Sequence, residues 1–134
     1  MHIHRYRNKR GSSFIEALCA AMILIPVALI LLDLLVMVIT NSVNDSAAKN
    51  AARAAANQAK GFDAHLAAEK ALKSFHPNAI MPDLSLQDFV YDDKGATVKV
   101  VTRMKVNLPV PCPGYEHLTF DAQAVEPIVG NENQ

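Results

Sequence analysis

Five histidines, two cysteines and thirteen carboxylates are the groups in this chain that could carry chemistry, and their spacing excludes most of it. His2, His4, His65, His76 and His117 have no Cys, Asp or Glu partner at ligand-like separation, so no metal centre is expected. There is no glycine loop of the kind that cradles phosphate, no nucleophile elbow and no pair of carboxylates that periodicity would bring together. Asp92-Asp93-Lys94-Gly95 has a calcium-loop composition without the oxygen spacing, and reads as a hairpin turn. Cys19 lies in an apolar run and Cys112 far along the chain, which makes them poor disulfide partners. Cys112, set between prolines, is exposed by context, either as a thiol able to cross-link or as a spectator. The expectation is a protein that is not an enzyme, with no catalytic residue, cofactor or metal.

The remaining chemistry is of a kind done to the chain. In the stretch Lys9-Arg10-Gly11-Ser12-Ser13-Phe14-Ile15-Glu16-Ala17, a glycine and then a carboxylate stand between a basic head and an apolar run. Residues 17–32 carry no charge, and after Asp33 residues 34–39 are apolar again. As a helix, residues 17–39 reach about 34 Å, enough for a hydrocarbon core of about 30 Å. An acid at the edge of hydrocarbon costs about 2 to 3 kcal/mol, so Glu16 either snorkels to the headgroups or has a partner. Arg5, Arg7, Lys9 and Arg10 precede the run, whereas the first cation after it is Lys49. The positive-inside rule therefore places the N-terminus in the cytoplasm and residues 41–134 outside. A cleaved secretory signal does not fit, since no Ala-x-Ala follows the run, and Cys19 lies at the wrong end for a lipoprotein.

These residues resemble the prepilin motif, in which a basic leader ends in Gly, a dedicated peptidase cuts after it, and Glu is the fifth mature residue. The resemblance implies cleavage between Gly11 and Ser12, with a prepilin peptidase as partner. It also implies that Glu16 meets the freed N-terminal amine of an adjacent subunit, neutralising both charges where the dielectric is low. Gly11 suits a cut that needs an extended, unhindered backbone just before the helix begins. The chain departs from the major-pilin pattern with Ser12 where an aromatic is usual, and from Flp-type pilins with Ala17 where Tyr usually follows the Glu. Both departures point to a minor pilin or pseudopilin.

A length of 134 residues with 51% hydrophobic and 19% charged content suits one small domain plus an apolar segment, and excludes a large multidomain enzyme. The formal charge is zero, 13 against 13, which gives no case for nucleic acid. The head is basic, while residues 11–134 hold nine cations against 13 anions, about −4. Pro26 should kink the apolar helix. Asp33 falls in its outer half, facing either the interface or another helix.

Beyond the run, eight alanines lie between Ser46 and Ala59, so the helix should continue out of the membrane and end at a Gly61 cap. Alanine there lets backbones approach closely. A second helix is expected from Asp63 as N-cap to Phe75, with Ala64, Ala68, Ala71, Leu72 and Phe75 on one face and His76-Pro77 as its stop. Strands are expected over residues 86–91, 96–106 and 115–126, with Val98, Val100, Thr102, Met104 and Val106 sharing one face. Residues 108–114 read as a rigid surface loop, because three prolines remove ladder donors, and residues 130–134 read as a polar tail. The expected fold is α+β: a long membrane-spanning helix, a second helix and a small three-stranded antiparallel sheet. Its parts are a leader (1–11), a transmembrane helix (12–40), an Ala-rich helical region (41–76) and a β-rich domain with a tail (77–134).

This order of elements, with a strand ending Leu-Pro-Val-Pro and another ending Ala-Val-Glu-Pro, also resembles the TadE-like proteins of tight-adherence pilus machinery. The resemblance implies a pseudopilin anchored in the bacterial inner membrane and needed for assembling or secreting the pilus. Its partners would be the prepilin peptidase, other pilin or pseudopilin subunits through the N-terminal helix, the inner-membrane assembly machinery and membrane lipid, with no nucleic acid. The alternative is an uncut single-span envelope protein whose external domain binds a partner or modulates a membrane complex; only the first reading gives Gly11 and Glu16 specific tasks.

Overall fold

The computed structural model describes residues 9–112 and 114–130. The head up to Asn8 and the tail from Asn131 lie outside the described residues. The elements are α1 (Lys9–Ala56), α2 (Gly61–Leu72), β1 (Asp83–Asp92), β2 (Thr97–Cys112) and β3 (Tyr115–Pro127). The strands form one antiparallel sheet in the order β1-β2-β3, and the class is α+β with a long apolar N-terminal helix, as the sequence implies.

α1 is a single rod of 48 residues, about 72 Å long, and it continues through Pro26. Its two halves live differently. Phe14, Met22, Ile23 and Leu24 are 65 to 72% exposed, whereas Ala48, Ala51, Ala52 and Ala55 are fully buried. The alanines form the core together with Ala64, Ala68 and Leu72 of α2 and with Val98, Val100 and Ala124 of the sheet. Side chains this small let the helix backbone lie close to both partners. Five alternate residues of β2 (Val98, Val100, Thr102, Met104 and Val106) are fully buried, the face that the period of two requires.

Several boundaries differ from the sequence reading. α1 ends at Ala56, and Gly61 is the first residue of α2, not a cap on α1. What closes α1 comes from far away: the amides of Val129 and Gly130 donate to the Ala56 carbonyl at 2.9 and 3.1 Å. Gly130 thus belongs to the fold. A Cβ there would come within 2.5 Å of the Gln58 carbonyl carbon, so only glycine fits. The N-cap of α2 is Lys60, and Asp63 lies in the first turn, where its charge suits the helix dipole. α2 stops at Leu72, with residues 73–74 in a turn held by the Phe75 amide donating to the Leu72 carbonyl.

β1 begins at Asp83, three residues earlier than expected, and contains a bulge between Leu86 and Asp88. The extra residue switches the parity, so that Leu84 and Leu86 before it and Phe89 and Tyr91 after it all pack on the core. Residues 93–96 form the turn into β2; the Lys94 amide donates to Asp92 Oδ1 at 3.0 Å, and the positive φ of 48° falls on Ala96. β2 itself runs on through Pro109 and Pro111 to Cys112, where a loop was expected. Past Asn107 its ladder with β3 is interrupted until Cys112 faces Tyr115, so these prolines remove no donor that β3 needs.

Candidate functional site

Gly11 and Ser12 lie in α1, so the bond between them is helical here. Glycine is about 1 kcal/mol poorer than alanine in a helix. Gly11 therefore weakens the helix locally. Glu16 follows one turn later, on the same helix and four positions from Ser12, with its side chain exposed. Among the described residues it has neither a hydrogen bond nor an ion pair. Cys19 is a free, exposed thiol in the same bare segment, and the side chain of Cys112 lies outside the described positions.

The other carboxylate of the apolar run is held inside the protein. Asp33 is only 8% exposed, and its Oδ1 accepts the amide of Val110 at 3.1 Å. It opens a polar row along the docked face of α1. Thr40, buried, donates to the Val36 carbonyl at 2.7 Å. Asn44, fully buried, donates through Nδ2 to the Phe120 carbonyl at 2.7 Å and accepts from Thr102 Oγ1 at 2.8 Å. One amide thereby bonds both β2 and β3 and fixes where along its length the helix meets the sheet. Sequence reasoning missed Asn44 and the bond that Thr102, expected on the shared face of β2, makes to it. Their signal was the spacing of Asp33, Thr40 and Asn44, seven and four positions apart, which puts three polar residues on one helical face.

Toward the end of α1, Arg53 Nε meets Glu126 Oε1 at 3.2 Å. On the outer face of the sheet Arg103 grips Asp121 in a two-pronged bond of 2.6 and 2.7 Å. That hydrogen bond holds the Asp121 carboxyl below its ordinary range and raises the Arg103 guanidinium, each stabilised in its charged form by the other.

Of the histidines, His65 does have an acidic neighbour, Glu69, at 4.0 Å one turn along α2, and its ring stands edge-on to Phe89 with centroids 5.0 Å apart. The sequence reading overlooked that pair. The Nδ1 of His117 lies 2.8 Å from Asn107 Oδ1. No group of three His, Cys, Asp or Glu side chains converges among the described residues. A hollow of about 280 Å³ lies between α1, the end of α2 and β1, lined by Val43, Ala47, Leu72, Phe75 and Leu84 with Ser42, Ser46, Asn50 and Ser74.

The structure thus brings Gly11, Ser12 and Glu16 together at one end of a bare rod and sets Asp33 about 26 Å further along it, at the edge of the folded domain. This one helix is long and apolar enough to cross a membrane. Comparison with protein-family models, with curated proteins and with solved structures finds no significant match to the chain.

Proposed function

We propose that the chain is a membrane-anchored pseudopilin or minor pilin, similar to the TadE-like proteins, that takes part in assembling a tight-adherence, type IV-like pilus. In this reading a prepilin peptidase cuts after Gly11, Ser12 becomes the N-terminus, and Glu16 pairs with the amine of a neighbouring subunit. The rod crosses the bacterial inner membrane with its start in the cytoplasm and the α+β domain outside, available to the assembly machinery. Its task is structural: no reaction, cofactor, metal or nucleic acid enters it.

The observation that carries this reading is α1 itself: one uninterrupted helix, bare and apolar over its first part, clasped by the domain over its second, with an exposed carboxylate just before the bare part. An isolated acid at the hydrocarbon edge is unfavourable, though by less than the roughly 2.5 to 3.5 kcal/mol of the bilayer centre, and an ammonium partner from the next subunit offsets that cost while fixing the axial offset between rods. The second reading is the uncut envelope protein, in which the helix stays continuous through Gly11.

The test is the N-terminal residue of the protein taken from native membranes with its own peptidase present, read by intact-mass or terminal-peptide mass spectrometry. A start at Ser12 supports the pseudopilin reading; a start at Met1 overturns it in favour of the envelope protein. Gly11→Asp is expected to block maturation, and Glu16→Ala to leave cutting largely intact while pilus assembly fails.

A further inference from the structure

A second part of the chain reaches the level of the bare segment. β2 runs antiparallel to α1, meeting it at Asn44 through Thr102 and at Asp33 through the amide of Val110, so its last residues head away from the core toward the bare helix. Glu16 and Asp33 lie about 26 Å apart with no charge between them, and a hydrocarbon core of about 30 Å sets the two carboxylates at its opposite faces. On the side of α1 that the domain leaves open, Leu34, Leu35, Val38 and Ile39 remain exposed beyond Asp33, so the apolar surround extends at least to that level. Val110, bonded to Asp33, lies there too.

The composition of this arm suits that location. Residues 106–115 contain no charged side chain, and Leu108, Pro109 and Val110 run into Pro111, Cys112 and Pro113. The three prolines have no N–H, and the Val110 amide is taken by Asp33, so four of the backbone donors that are costly to bury in an apolar phase are absent or paired here. Pro109 is exposed, and Leu108 and Val110 are half-buried. The opposite end of the sheet, with Asp92 ending β1 and Asp93 and Lys94 in the turn, has the contrary character.

We infer that the end of β2 around Leu108, Pro109 and Val110 is a lipid-contacting finger that enters the headgroup layer beside α1 and gives the chain a second contact with the bilayer. This rests on the reading of α1 as a membrane span. Such a finger would fix the rotation and tilt of the rod, which a single apolar helix leaves free.

The test uses the full chain in phosphatidylcholine and phosphatidylglycerol vesicles, with an environment-sensitive dye on single cysteines placed by Leu24→Cys, Pro109→Cys or Asp93→Cys in a Cys19→Ser, Cys112→Ser background. Dye on the native Cys112 in a Cys19→Ser chain repeats the reading at the tip without a new residue there. The dye at 109 or 112 is expected to lose most of its emission to nitroxides carried near the headgroups and to resist aqueous iodide several-fold better than the dye at 93. The dye at 24 should be quenched by deep nitroxides. Equal iodide quenching at the tip and at 93, with 24 quenched from the bilayer, overturns the finger and leaves the span standing. A tip shielded from both quenchers means that protein covers it, which also overturns the lipid assignment. A dye at 24 that the deep nitroxides miss overturns the span itself, and the finger with it.

Discussion

The two halves of α1 reverse the usual relation between residue type and burial. Residues 13–32 hold most of the Leu, Ile, Phe and Met of the helix and are almost wholly exposed, while residues 40–56 hold alanines and polar groups and bury one whole face. In water, exposing the first set costs about 25 cal/mol per Å² of apolar surface, so a helix arranged this way is made for an apolar surround. The second half shows that a tight helix-to-sheet contact needs small side chains and a few placed hydrogen bonds more than it needs bulk.

The same substitution made in each half sharpens that contrast most. Ala52→Leu, at a fully buried site, should overpack the core and destabilise the domain by about 3 kcal/mol, whereas Ala20→Leu, on the bare half, should change its denaturation midpoint in detergent very little. Asn44→Ala comes next: it removes the amide that bonds both strands, leaves the Phe120 carbonyl and Thr102 hydroxyl without it, and should cost about 2 kcal/mol by the same measurement. If the docked half is held by alanine contact alone, that loss will be absent. Ala96→Gly has the opposite sign. At a φ of 48° glycine relieves strain, and the domain should gain about 0.5 to 1 kcal/mol in thermal or chemical unfolding with the bare half unaltered.

The smallest effect is a matter of pH. The Asp121 carboxyl is held below its ordinary value by Arg103, so its contribution is complete above the ordinary carboxylate range and is lost as the pH falls through the lowered value. Both groups are solvent-exposed, and the contribution is correspondingly slight. The unfolding midpoints of the wild type and Asp121→Asn should differ a little near neutrality and converge on acidification. A gap that widens in acid would contradict the assigned sign.

What the sequence made legible were features with a local period or a local composition. The alternate face of β2 is written in Val98, Val100, Thr102, Met104 and Val106, and the bare rod in an uncharged run. Gly11, Ser12 and Glu16 were legible as a motif because they are neighbours. What stayed hidden was long-range. Gly61 was read as a helix end because caps are usually local, yet Val129 and Gly130 supply the bonds to Ala56. The prolines of β2 read as a loop under the assumption that every strand residue must donate to a partner strand, which fails where the ladder with β3 is interrupted. The bulge in β1 has no residue signature, and the partner of Asp33 lies 77 positions away.

The side-chain bonds joining α1 to the far strands, at Asp33, Asn44 and Arg53, span 77, 76 and 73 positions. Contacts this distant in sequence form late, because the chain between them must first be brought round. The bare half of the rod needs only its own neighbours and can coil in about a microsecond. One helix therefore matures on two clocks. Its first half needs only its own residues, and its second is complete only when the far strands have docked and Val129 and Gly130 have reached the Ala56 carbonyl.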